Sequence, residues 1–164
     1  MEEKIIIAKM HELADLIDYE AKNIIHLKQA MYCKKIQNAN NEGKNRDNYT
    51  NDSLATLGDA ILKFILTECL FRKYDDKAKI TQKRIEFENN GTLYRLCNKY
   101  GIIDYAYHRD NFYHDAPKNN KVPNPSDHNP YIEAIIAAIY LDRGIKYCKD
   151  WVTKFFSKHN CPLD

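Results

Sequence analysis

An all-α fold in a single domain is what this 164-residue chain predicts, and three features lead there. Apolar residues recur at helical spacing along most of its length. Two stretches, LATLGDAILKFILTECLF and IEAIIAAIYL, are apolar on nearly every side, as helices in a protein interior are. No run alternates apolar and polar residues in the manner of a half-buried strand. A chain of this length with 44% hydrophobic residues can bury one good core, so residues 1–164 read as one domain.

The elements follow in order. Leu13, Leu16 and Ile17 mark a first helical stripe, and Ile24, Leu27 and Met31 a second. Residues 37–50 are polar, rich in Asn and carry one Gly, which reads as a loop. In the helix that follows, Leu54, Leu57, Ile61 and Ile65 form one stripe; Thr50 or Asn51 can cap its start, with Asp52 at the positive end of its dipole. A helix from about Thr81 breaks at Asn89-Asn90-Gly91, resumes through Leu93, Leu96 and Tyr100, and can end at Gly101 in a left-handed turn. Four prolines (117, 123, 125 and 130) punctuate a long polar loop over residues 111–130. The helix IEAIIAAIYL ends near Gly144, and a last amphipathic helix turns Ile145, Cys148, Val152 and Phe155 or Phe156 inward.

Composition excludes more than it selects. A formal net charge of +2 neither demands nor excludes a nucleic-acid partner. The five cysteines (Cys33, Cys69, Cys97, Cys148 and Cys161) are odd in number and contain no CxxC pair, so reduced, buried thiols are expected rather than a zinc site or a disulfide framework. Acidic residues at Glu2 and Glu3 and a short apolar run over 5–8 make no signal peptide, and no stretch reaches membrane-spanning length; a cytoplasmic, intracellular protein is expected.

The chemistry rests on two carboxylates. Asp59 and Glu133 are each the sole acid in a strongly apolar helical stretch. An ionised carboxylate buried without a partner is costly, so such a group is normally paired or bound to a metal. Two acids brought together by packing repel unless a cation lies between them, and oxygen-only ligands suit Mg²⁺ or Mn²⁺. Blander roles stay open. A single Asp on a helix also serves as a surface residue or an ion-pair partner, and Glu133, three residues past Pro130, also suits the dipole of a first turn.

The run Asn51-Asp52-Ser53-Leu54-Ala55-Thr56-Leu57-Gly58-Asp59-Ala60 resembles the signature of the ribonuclease III family. The block from Ile80-Thr81 through Arg84 to Asn90-Gly91-Thr92-Leu93 resembles that family's middle helices. Its last block is similar to Tyr131-Ile132-Glu133-Ala134 through Ile139-Tyr140-Leu141-Asp142-Arg143-Gly144, and its opening helices, more weakly, to residues 19–31. The resemblance covers most of residues 19–158. It implies a helical homodimer in which two sites across a shared groove each cut one strand of double-stranded RNA, using Mg²⁺ (or Mn²⁺) and water and leaving 5′-phosphate and 3′-hydroxyl ends. No separate RNA-binding domain is expected. Carried over by position, Asp59 and Glu133 match the two central metal-site acids, and Asp52 matches a further catalytic acid of the signature.

The chain also departs from that pattern. Ala55 and Pro130 stand where the family commonly has acids, Lys77-Ala78 lies near the place of another, and Thr56 stands where most members carry an aromatic plug to the partner subunit. The short Mini-III subgroup is similar at the signature, with Leu-Ala-x-x-Gly-Asp-Ala. Asp127, His128 and Asn129 are alternative ligands or loop caps, and Lys34, Lys35, Lys44, Arg46, Lys118 and Lys121 are phosphate contacts or solvated charge. The twelve tyrosines suit core and rim, because duplex RNA exposes few bases for stacking. The alternative function is a catalytically inactive domain of the same fold, binding RNA or serving a ribonucleoprotein complex. A generic helical interaction module would leave the Leu-Gly-Asp block and Glu133 without explanation.

Overall fold

The computed structural model describes residues 3–32, 50–108, 111–112 and 130–158. Six α-helices dominate these described residues: α1 (Glu3–Leu16), α2 (Ile25–Ala30), α3 (Asp52–Phe71), α4 (Lys77–Glu88), α5 (Asn90–Lys99) and α6 (Tyr131–Ser157). The all-α expectation holds. One addition was not foreseen: a 3₁₀ turn at Ile102–Tyr105 leads into a ladder of two residues per strand, β1 (Tyr107–His108) and β2 (Asn111–Phe112), with Tyr107 opposite Phe112. Tyr107 also donates its amide to Met31 O at 3.0 Å, which ties the ladder to the end of α2.

Helix α1 buries Ile6, Met10, Leu13 and Ala14, a single face at helical spacing. Leu16, expected on that stripe, is instead 48% exposed, because the helix ends there. Ile17, just past the helix end, turns inward with Leu13, and its carbonyl accepts from Trp151 Nε1 at 2.9 Å.

Helix α3 begins where the sequence placed it, and of the two expected caps it uses Thr50. The Asn51 side chain makes no cap bond; it is buried and donates to Ala30 O at 3.1 Å, fastening the start of α3 to α2. Thr50 Oγ1 takes the Asp52 amide at 3.3 Å instead. Leu54, Ile61 and Ile65 face the core as expected. The helix is not buried on every side, however: Phe64 and Phe71 are 56% and 71% exposed.

Helix α4 starts at Lys77, four residues before the expected Thr81, because the Asp76 carboxylate caps it by accepting from Ala78 N at 2.9 Å. The break before α5 is a single residue wide. Asn89 Nδ2 donates to Ile85 O and Glu86 O at 3.0 and 2.9 Å, closing α4, while its Oδ1 accepts from Thr92 N at 2.9 Å, opening α5. Gly101 takes the expected left-handed conformation, φ 68°.

Helix α6 is the axis of the core. The nine residues 131–139 are all buried, and its largest interface is with α3. Gly144, at φ 82° and ψ 174°, breaks the helix where an end was expected. Beyond it Cys148, Val152, Phe155 and Phe156 turn inward as expected, together with Trp151; Ile145 does not, at 43% exposure. Immediately before the break, Asp142 accepts from the Tyr19 hydroxyl and from the amides of Lys22 and Asn23 at 2.8 and 2.9 Å. Burial and the Asp142 charge together hold the Tyr19 hydroxyl well above the usual phenol range. Arg143 lies 4.0 Å above the Tyr147 ring and donates to Glu20 O. The acidic and basic residues of the last block thus clasp the segment after α1. No helix among the described residues is long and apolar enough to cross a membrane.

Candidate active site

The site residues lie on the two helices that form the core. These helices meet backbone to backbone at Gly58, where a β-carbon would fall 1.6 Å from the Glu133 carbonyl oxygen and 2.5 Å from its carbon. Only glycine lets the two backbones meet there. Asp59 therefore follows directly on the residue that touches the backbone of Glu133. Two acids 74 positions apart in sequence sit on adjoining turns of crossed helices.

Their environments differ. Glu133 is 6% exposed, in the first turn of α6, with Oε2 withdrawn from solvent. Its charge reaches α5: the Cys97 thiol is pushed up to about 12, first by burial and then by the negative charges of Glu133 and Asp104. Asp59 does not match the buried acid expected of it. Its side chain is 46% exposed and its Oδ2 is bonded to Lys63 Nζ at 2.8 Å. The reason is the helix's own surface: α3 packs on α6 and α4, and leaves a strip including Thr56, Ala60, Lys63 and Phe64 in solvent. Asp59 lies on the border of that strip.

Asp52 is exposed in the first turn of α3, seven residues before Asp59 and so about 10 Å along the axis. Ala55 is buried and apolar, Thr56 is exposed with its hydroxyl turned back to Asp52 O at 3.0 Å, and Lys77 is exposed at the start of α4. Pro130 is the residue preceding α6. Asp127, His128 and Asn129, and the cations Lys34, Lys35, Lys44, Arg46, Lys118 and Lys121, lie outside the described residues. Cys97 and Cys148 are buried, as expected of the thiols, whereas Cys69 is only half-buried.

Sequence reasoning missed the cations around Asp59. Lys63 is four residues on, and an acid preceding a base at that spacing is the ordinary helical pairing. On α4, Arg84 Nε lies 3.3 Å from Glu88 Oε1, and its Nη1 donates to Thr67 Oγ1 of α3 at 3.4 Å. These i,i+4 pairs were legible in the sequence; their convergence on one face was not.

Among the described residues, no three or more His, Cys, Asp and Glu side chains gather closely enough to enclose a metal ion. The acids that flank this contact are Asp59, next to Gly58 in sequence, and Glu133 itself, two carboxylates at most. That set fits a hard cation that keeps most of its water, as Mg²⁺ does, and does not fit a fully dehydrated cage.

A model of the Ribonuclease III domain matches residues 52–144, more than half of the chain. Among relatives, Ribonuclease 3 of Clostridium botulinum is 29% identical over 119 residues, 69% of this chain and 48% of that protein. Ribonuclease 3 of Campylobacter jejuni is 28% identical over 122 residues, 73% of this chain and 52% of that protein. The chain thus spans about half the length of these bacterial relatives. Two solved structures of the nuclease domain of the Campylobacter jejuni enzyme superimpose with TM-scores of 0.73 and 0.71 at 26% identity, covering 91% of this chain and 96% and 94% of those chains; the first is described as flexible in a region involved in dimer formation. With the signature, middle and last blocks in place on the matching fold, the chain belongs to the ribonuclease III family.

Proposed function

We propose that the chain is a metal-dependent endoribonuclease domain that cleaves double-stranded RNA, leaving 5′-phosphate and 3′-hydroxyl ends, and that it works in the cytoplasm as a homodimer. The observation that carries this reading is the crossing at Gly58, which sets Asp59 beside a buried Glu133 in the family's nuclease fold. Asp59 and Glu133 would hold Mg²⁺ or Mn²⁺, with Asp52 as a more distant acid near the RNA. A bound cation there supplies activation of water and neutralisation of the phosphate. The chain's own parts are then simple. Glu133 offers a carboxylate kept from water by α6 and α5, Asp59 offers one open to solvent and substrate, and Lys63 places a positive charge beside the path of the phosphodiester. The dimer reading draws on the exposed strip of α3, where Ala60 and Phe64 present apolar surface next to Asp59 and Phe71 extends it to the far end of the helix, so that a partner covering it would border the site.

A second reading, an inactive domain that binds RNA or serves a larger complex, is favoured by one observation: Lys63 already neutralises Asp59, at a site with two carboxylates. One assay separates the two. Purified chain is incubated with long duplex RNA in Mg²⁺ and then Mn²⁺, beside Asp59→Asn and Glu133→Gln. The enzyme reading expects cleavage, stronger in Mn²⁺, that both variants abolish. No cleavage in either metal leaves the inactive reading, whereas full cleavage by Glu133→Gln overturns the assignment of Glu133 to the site.

A further inference from the structure

The chain reversal after α1 builds a cleft that the candidate active site does not use. Asp18 takes the left-handed conformation, φ 54°, and Tyr19 N bonds back to Ala14 O at 2.8 Å, which ends the helix. Trp151 of α6 fixes this turn by donating its indole N–H to Ile17 O. Between the turn and the end of α6 lies a cleft of about 410 Å³, within the range of small-molecule sites. Leu16, Tyr100, Trp151 and Phe155 make its apolar wall. Trp151 stacks on Phe155 with ring centroids 4.8 Å apart, and Tyr100 meets Phe155 edge-on at 6.2 Å, so the wall is braced before anything binds. None of the lining residues belongs to the candidate active site.

The mouth of this cleft is positive. Lys154 and Lys158, one turn apart at the end of α6, both line it, and Asp18 is the one acid among the lining residues. Asp18 is already paired with Lys158, whereas the Lys154 ammonium has no ion pair or hydrogen bond among the described residues. The indole N–H is spent on Ile17 O and so adds no polar demand to the wall. An apolar wall with an uncommitted cation at its rim matches a molecule with an apolar body and one negative group. We propose that the cleft binds a small carboxylate with an apolar body, the body against Trp151, Phe155 and Leu16 and the carboxylate on Lys154. Lys158 adds to the field, because the exposed pair that it forms with Asp18 holds its charges only weakly. A cation of the same shape meets repulsion from Lys154 instead.

The chain has one tryptophan and it lines the cleft, so Trp151 emission reports occupancy directly. The test titrates the purified chain with octanoate, octanol and octylammonium, three molecules with one apolar body, and takes stoichiometry from calorimetry. Octanoate should give a saturable, one-to-one change and bind more tightly than octylammonium. Lys154→Met should weaken octanoate a few-fold, the size of one exposed ion pair, and leave octanol unchanged. Lys154→Arg keeps the charge and should restore octanoate binding. Leu16→Asp, at an exposed position of the wall, should repel octanoate. Lys146→Met removes the same charge two turns earlier on α6, outside the cleft, and should bind as wild type does. Circular dichroism confirms that each variant is folded. An unsaturable response to octanoate overturns the site. So does octanoate binding that Lys154→Met leaves as tight as in wild type, or that octylammonium equals.

Discussion

Replacing Gly58 by Ala probes the crossing on which the site is built. The added β-carbon would lie 1.6 Å from Glu133 O and 3.1 Å from Glu133 Cα. A non-bonded carbon needs about 3.5 Å from its neighbours, so α3 and α6 must part by nearly 2 Å at that point. Leu54, Ile61, Leu62 and Ile65 on one side, and Ile132, Ile135 and Ile136 on the other, are nearly or fully buried. A gap of even 0.5–1 Å forfeits about a quarter to a half of each dispersion contact. Overpacking of a tight core typically costs about 1–3 kcal/mol, and a clash with backbone belongs at the upper end. Alanine's better helix propensity returns about 1 kcal/mol. The net expectation is a loss of about 2 kcal/mol, which lowers Tm by roughly 4–8 °C in a domain of this size. Urea and thermal unfolding followed by circular dichroism measure it, with Ala60→Gly, on the exposed side of the same helix, as the propensity control. A Gly58→Ala chain as stable as wild type, or more so, would refute the close approach and the pairing of Asp59 with Glu133 built on it.

Phe64→Asp, on the exposed strip of α3, should leave the fold intact and shift the chain to monomer in light scattering; a persistent dimer would move the interface elsewhere. Asp142→Ala removes the acceptor of three hydrogen bonds that clasp residues 19–23 to α6 and should cost about 2–3 kcal/mol in urea unfolding, with Asp142→Asn costing less. A loss below about 0.5 kcal/mol, the range of an ordinary surface substitution, would mean the clasp contributes nothing. The Cys97 and Cys148 thiols are pushed up to about 12, chiefly by burial. Thiolate is the reactive form and is scarcely populated at either site at pH 8–10, so iodoacetamide should leave both unlabelled across that window until the chain is unfolded. Peptide mass spectrometry reads each site, and labelling of native Cys97 at pH 8 would contradict its placement.

Most helix positions, the break at Gly144 and the left-handed turn at Gly101 were legible in the chain, because apolar spacing and glycine conformation are local properties; the start of α4, set by the Asp76 cap, was not. So was the inward run of α6, where nine consecutive residues are buried and no side of the helix is spared. Sequence also singled out Asp59 and Glu133, since acids interrupting apolar stretches stand out whatever surrounds them. Their different fates were decided only by packing. Both lie in apolar runs, yet Glu133 is enclosed by the helices around it while Asp59 borders a strip of α3 that no other described element covers. An apolar run reports how many faces a helix can bury, not how many its neighbours do bury, and for α3 the two numbers differ. The meaning of Gly58 was tertiary as well. Nothing local marks it as the point where a carbonyl 75 residues away occupies the space of a side chain. Lys63 and the Arg84–Glu88 pair looked like routine helical spacings one helix at a time. Only the docking of α4 on α3 turned them into a charged constellation around the candidate metal ligand.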